Sequence, residues 1–349
     1  MQASARAQAR TDIAQLEAAL GDALDAFDEV DSRASRGESV EADKLSSAWL
    51  GLADALNAVD DAHVAGTSLG ENAATLYAWA AYYVSSAPTE IATHRSRFDL
   101  LVDAAELTVA LKLVPPGVML ARVLHRECDA RIRTPQCRAW MQRALEAFSQ
   151  RAYGRCFVRM EAANCCCTTA DYGDALRLLA AVEADLASAG LELDGFGAHD
   201  TREVLENEVR QLRAVLFVCL GVIDEAAAEF RRLREQSGDS PLYDDRFRLF
   251  ALENLIDIER GRFTEVVARS RAELERVGPY QLRPTDRCAA LHDLCAALFE
   301  LAALDARHAP EAVAAMRAYL APEALDIHSQ WFMRAYLAEV LRFTGDLVG

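Results

Sequence analysis

Apolar residues recur at every third or fourth position along most of this 349-residue chain, and nowhere do they alternate over the length of a strand. That spacing puts them on one face of a helix, whereas a half-buried strand needs a period of two. The first long run shows the pattern, with Ile13, Leu16, Leu20, Leu24, Phe27 and Val30 in register. Composition agrees: 66 residues are alanine, and glycine and proline together number only 26. Alanine loses least on entering a helix, and glycine and proline lose most. The chain is read as all-α.

Punctuation sets the organisation. Helices are predicted over 3–34, over 41–63 after the Gly37-Glu38-Ser39 break, and over 71–86. These make 1–86 an N-terminal helical bundle or a set of capping hairpins. Pro88-Thr89 is expected to open a helix that Pro115-Pro116 ends, followed by one over 117–132. Thr134-Pro135 and Ser240-Pro241 read as N-caps followed by proline at the first helical position, where its missing N–H costs nothing. Asp200-Thr201-Arg202-Glu203 offers a start like a capping box. Helices or helix pairs are then expected at 135–151, 153–169 with 171–189, 200–220 with 222–237, 242–260 with 262–277, and 285–306 with 310–320. A capping helix over 323–344 closes a repeat region of 87–349. Residues 31–44, DSRASRGESVEADK, are the expected exposed internal loop, where a protease would cut.

The pairs repeat a motif. Ala170-Asp171-Tyr172-Gly173-Asp174-Ala175 aligns with Gly221-Val222-Ile223-Asp224-Glu225-Ala226 and with Gly261-Arg262-Phe263-Thr264-Glu265-Val266. Each has a small residue at a tight turn and a bulky apolar one two positions later. A small or β-branched residue follows three after that, where paired helices cross closely. At Phe217, Gly221, Ala226 and Phe230, and at Tyr172, Ala175 and Leu179, the chain resembles the tetratricopeptide (TPR) superfamily. The likeness is greatest to its divergent bacterial variants, the maltose-regulator-like repeats. It covers about 153–320, without the W-x-x-L-G-x-x-Y opening or most of the closing prolines. The resemblance implies antiparallel pairs stacked as a right-handed superhelix, an α-solenoid whose groove grips extended peptides or a partner's helix. A stack of amphipathic pairs buries faces that no single hairpin can bury and leaves a long curved surface, whatever the family.

Charge and hydropathy exclude several classes. The net charge is −17, with 54 acids against 37 bases, which argues against nucleic acid as a direct partner. Only Lys44 and Lys112 are lysines; with so much alanine, that arginine bias suggests a GC-rich bacterial genome. There is no apolar run long enough to span a bilayer. The opening MQASARAQAR has no apolar segment behind it, so no secretory leader and a cytoplasmic location are expected. Nine cysteines in such a chain are expected to be free thiols, mostly buried small packers.

The candidate binding residues are few. Arg151, Arg155 and Arg159 stand at i, i+4 and i+8, a stripe if the helix continues across Gly154, within a basic stretch that includes Arg122 and Arg126. The stripe is either a clamp for acidic peptide or a solvated face paired with local carboxylates. Asp12, Glu17, Asp22, Asp25, Asp28, Glu29 and Asp31 could dock on it, although an ordinary amphipathic helix explains them as well. Asn164 and Asn254 lie inside predicted helices, where asparagine is poorly suited, and Asn207 less tellingly so. In the resembled repeats such amides hold a peptide backbone; the plainer reading is an interhelical hydrogen bond.

Cys288, His292 and Cys295 share a helix face and could supply three metal ligands, but Leu291 and Phe299 mark that face as core. Gly195-Phe196-Gly197 lacks a preceding strand and a third glycine, and reads as a loop. No nucleotide loop, hydrolase elbow or zinc-protease motif is present. The expectation is a non-enzymatic scaffold, adaptor or regulatory subunit, needing no cofactor, that binds a protein or peptide through its groove. It could be the target or inhibitor of a partner enzyme. The alternatives are a peptide-sensing regulator and, further off, a metal-dependent protein built on Cys288, His292 and Cys295.

Overall fold

The computed structural model describes residues 2–35, 42–64, 68–86, 93–130, 133–188, 202–237, 243–281, 284–320 and 327–345. Among them there is no strand. The helices are α1 (Gln2–Ser35), α2 (Ala42–Val64), α3 (Glu71–Ser86), α4 (Arg97–Leu111), α5 (Val114–Ala130), α6 (Thr134–Ala147), α7 (Ala152–Thr168) and α8 (Tyr172–Ala187). They continue with α9 (Arg202–Cys219), α10 (Ile223–Ser237), α11 (Tyr243–Glu259), α12 (Phe263–Gln281), α13 (Pro284–Leu304), α14 (Ala309–Leu320) and α15 (Ile327–Thr344). A short 3₁₀ turn, Ala306–His308, leads into α14, with Asp305 capping it through the Arg307 amide.

Two compact units divide the chain: residues 1–128 with 135–162, and residues 129–134 with 163–349. In the first, α1 packs on α2 and α3, and α3 packs directly on α4. The unit continues past α3 into α4 and on to residue 162. Its core holds Leu20, Phe27, Leu52, Leu56, Tyr77, Leu101 and Phe157. Phe27 meets Trp49 and Tyr83 at centroid distances of 4.3 and 4.9 Å. Among the described side chains of α1, Asp22, Asp25, Asp28 and Glu29 are exposed, as an ordinary amphipathic helix would place them, and Glu17 is half-buried.

In the second unit each helix from α9 onward packs on its successor. The odd-numbered helices also meet in series, α9 with α11, α11 with α13 and α13 with α15. Phe230, Leu233, Leu252 and Ile256 form one core cluster, and Val266, Leu294, Leu298, Met316, Met333 and Val340 form another.

The predicted tight turns share one backbone geometry. Ala170, Gly221 and Gly261 have φ of 60°, 72° and 70°. Each donates its amide to the carbonyl three residues back, and the next residue's amide reaches five back, to Cys166, Phe217 and Asp257 respectively. That pair of bonds closes a helix through a left-handed residue. Lys112, with φ of 57°, makes the same turn between α4 and α5. The close-crossing positions follow in step: Ala175, Ala226 and Val266 have no exposed surface. In the α4–α5 copy the position falls on Gly117, where a Cβ would stand 2.5 Å from the Phe148 ring.

Several helix ends differ from the sequence reading. The helix expected to open at Pro88-Thr89 begins at Arg97, where the Ser96 hydroxyl accepts the Asp99 amide at 3.1 Å. Pro115 and Pro116 do not end a helix but occupy the first turn of α5, where their missing N–H groups are no loss. α12 continues through Gly278 and Pro279 to Gln281. The proposed caps at 200–201 and 240–241, the Gly195-Phe196-Gly197 loop and positions 36–41 of the cleavage segment lie outside the described residues.

Candidate functional site

Arginine's first use in this fold is internal. Four carboxylates are buried among the described residues, Asp60, Glu161, Glu229 and Asp257, and each has an arginine beside it. Arg95 reaches Asp60 at 3.0 Å, Arg122 reaches Glu161 at 3.5 Å, Arg232 and Arg213 reach Glu229 at 3.0 and 3.4 Å, and Arg269 reaches Asp257 at 2.5 Å. A buried charge is tolerated only when paired and hydrogen-bonded, so these arginines permit the acids to be inside at all.

This accounts for part of the predicted basic site. Arg122 lies over the Phe157 ring at 5.0 Å and against Glu161, with His125 at 3.7 Å from the same carboxylate. Arg155 donates to the Ser149 carbonyl at 2.7 Å, tying the start of α7 to the preceding turn. Helix α7 does continue across Gly154, and the Arg155 amide bonds to the Arg151 carbonyl, so Arg151, Arg155 and Arg159 follow one another at helical spacing. Gly154 is needed there, since a Cβ would meet Val114 at 2.5 Å. Arg151 and Arg126 are exposed, and Arg159 is half-buried.

The asparagines separate. Asn164 is half-buried on α7. Asn254 has no exposed surface and joins three helices: its amide nitrogen donates to Ser270 Oγ on α12 at 3.3 Å and to Asp293 Oδ2 on α13 at 3.0 Å. It is an interhelical tie of the second unit, and its place in the core keeps it from an open peptide groove. Asn207 accepts weakly from Arg210 at 3.5 Å.

Of the three candidate metal ligands, Cys295 is wholly buried, and burial pushes its thiol up to about 12. His292 is 42% exposed and lies 3.8 Å from Asp293. The side chain of Cys288 lies outside the described residues. No group of three candidate ligands comes together among the described residues.

What the sequence reading did not find is a cleft of about 330 Å³ where two copies of the repeated turn stack. Ala227, Phe230 and Ile256 form its apolar floor. Helix α10 brings Asp224 and Arg231, α11 brings Glu253 and Asp257, Arg260 follows the end of α11, and Arg262 follows the Gly261 turn. Arg260 crosses to Asp224 at 3.1 Å, and Arg262 approaches Asp257 at 3.5 Å. Arg269 braces the wall from below through Glu253 and Asp257, at 2.7 and 2.5 Å. The rim is a mosaic of both signs over a greasy base, with arginine forks that suit carboxylates. Its described lining offers charge and shape. The signal in the sequence was the turn alignment itself, since the cleft residues follow the Gly221 turn and flank the Gly261 turn.

The chain matches no protein-family model, no curated protein and no solved structure.

No helix among the described residues is long and apolar enough to cross a membrane.

Proposed function

We propose that this protein is a non-enzymatic, TPR-like helical-repeat binding module whose second unit captures an extended segment of another polypeptide. The observation that carries this reading is the charged cleft between α10 and α11, assembled from two stacked copies of one turn. A surface built by repetition continues in steps of one hairpin, which suits a ligand that is itself a chain. Acidic and basic groups alternating along the rim fit a segment carrying both charges, with an apolar side chain on the Phe230–Ile256 floor. The serial contacts of α9, α11, α13 and α15 support a stacked, superhelical arrangement of the pairs. In such a role the protein acts as adaptor or regulatory subunit, with no cofactor.

The test is selection of a displayed random-peptide library on the intact protein, with Arg231→Glu as the comparison. Arg231 is exposed, so reversing its charge leaves the fold intact. Enrichment of a consensus containing both an acidic and an apolar residue, bound at least tenfold more weakly by the variant, supports the reading. A consensus bound equally by both proteins moves the site elsewhere, and no enrichment at all removes the peptide-binding claim.

A further inference from the structure

The arginines around the cleft over Phe230 and Ile256 are not equally committed. Arg269 holds Glu253 and Asp257 at 2.7 and 2.5 Å, and Arg262 approaches the same Asp257 at 3.5 Å. Asp257 is buried, so drawing either guanidinium away weakens the pairing of a charge inside the fold. Arg260 is held differently. Its Nη2 meets a single oxygen of Asp224 at 3.1 Å, although the fork is shaped to grip a carboxylate at two points. The Asp224 side chain is 96% exposed and that of Arg260 31%, so water competes for this pair. Arg231, on the same rim, takes no part in any of these pairs.

The repeat itself does not require the contact. Asp224 stands three residues after the Gly221 turn, and Arg260 stands one before the Gly261 turn. At the first of these places the other copies have Gly173 and Thr264, and at the second they have Thr169 and Leu220. None of the four is charged. The pair therefore belongs to the one junction that forms the cleft.

We infer that Arg260 seats an aspartate or glutamate side chain of the bound segment, and that Asp224 occupies this seat in the free protein as an internal competitor. The inference rests on the cleft being the polypeptide site. When the ligand's carboxylate takes Arg260, Asp224 is released into the water that already covers it, so the exchange buries no protein charge. The incoming carboxylate gains a two-point grip from Arg260, with Arg231 on the same rim and the apolar floor beneath its neighbour. A segment without an acid at that place leaves Asp224 where it is and gains the floor alone. Asp224 is thus a specificity device, holding the seat against weak anions and repelling a ligand that fails to fill it.

The test is the displayed-peptide selection run in parallel on the intact wild-type protein and on Asp224→Asn, with Asp224→Ser as a second variant at the same exposed position. The strongest acidic peptide is then synthesised with an amidated C-terminus, so that its charge lies on the side chain, beside an analogue in which that side chain is an amide. Fluorescence anisotropy should show both Asp224 variants binding the acidic peptide about two- to fivefold more tightly than wild type, the range an exposed ion pair commands. The amide analogue should bind all three proteins alike, and Arg260→Gln should remove most of the difference between the two peptides. Equal or weaker binding of the acidic peptide by the Asp224 variants, an equal gain for the amide analogue, or selected peptides without an acidic residue overturns the inference and leaves the cleft as a polypeptide site. No enrichment on any of the proteins overturns the underlying reading and this inference with it.

Discussion

Arg95 Nη1 lies 3.0 Å from the Oδ1 of Asp60, a carboxylate with no exposed surface, and its other terminal nitrogen reaches Asp103 at 2.5 Å. The Tyr77 hydroxyl donates to the same Asp60 oxygen at 2.8 Å. One guanidinium thus holds a buried acid from α2 against the chain leading into α4. Arg95→Ala leaves that charge without its counter-ion, and such losses cost about 3–5 kcal/mol. Chemical denaturation should show that drop, whereas Arg177→Ala, which breaks the exposed pair with Asp174, should change stability by about 0.5 kcal/mol or less.

Gly117 and Gly173 occupy helices but differ in surroundings. A Cβ on Gly117 would stand 2.5 and 2.7 Å from the ring of Phe148, which is fully buried and has no room to swing away. Gly117→Ala should destabilise by about 1–3 kcal/mol. Gly173, early in α8, has nothing within 4 Å of that position. Gly173→Ala should raise the Tm, by about 0.5 kcal/mol of added stability. Thermal melts of the two variants check the contrast.

The turn residues predict opposite signs for one exchange. Ala170 holds a left-handed backbone that costs a side-chain-bearing residue about 1 kcal/mol, so Ala170→Gly should stabilise by about 0.5–1 kcal/mol. Gly221→Ala imposes that strain where none exists now, and should lower stability by about 1 kcal/mol. Equilibrium unfolding in urea measures both.

Alkaline pH should weaken the fold. Burial raises the Cys295 thiol from its ordinary 9.0 to about 12, and burial next to Asp60 and Asp28 raises Tyr77 and Tyr83 above their ordinary 10.0. The folded state holds these protons more tightly than the unfolded chain. Stability is therefore intact below about pH 9, then falls as the unfolded chain ionises first, and continues to fall toward pH 12. A Tm series from pH 7 to 11 should be flat and then descend, and Cys295→Ala should soften the descent.

Much of the fold was legible because helix signals are local. The spacing of Leu20, Leu24 and Phe27 marked a buried face, and the Ala170, Gly221 and Gly261 alignment marked three turns of one geometry. Pro115-Pro116 misled because proline ends a helix or begins one, and only the residues before it decide which. The start of α4 at Ser96 was masked by a proline eight residues earlier. Site residues were harder to read, because an arginine's role depends on what the fold brings beside it. Arg122 and Arg155 look alike in sequence to Arg231, yet Glu161 and the Ser149 carbonyl engage the first two inside their unit. Asn254 was singled out for a real oddity, an amide within a helix, and its partners Ser270 and Asp293 come from two later helices. Nothing within α11 reveals them. The cleft over Phe230 and Ile256 exists only once two turns stack.

The central claim is that polypeptide binds where those two turns meet. Hydrogen–deuterium exchange of the intact protein, with and without a library-selected peptide, tests it most directly. Slower exchange at the start of α10 and across the end of α11 into the Gly261 turn is the predicted result. Slowing confined to α5–α7, around Arg122, Arg151 and Arg155, would contradict it and return the site to the arginine stripe.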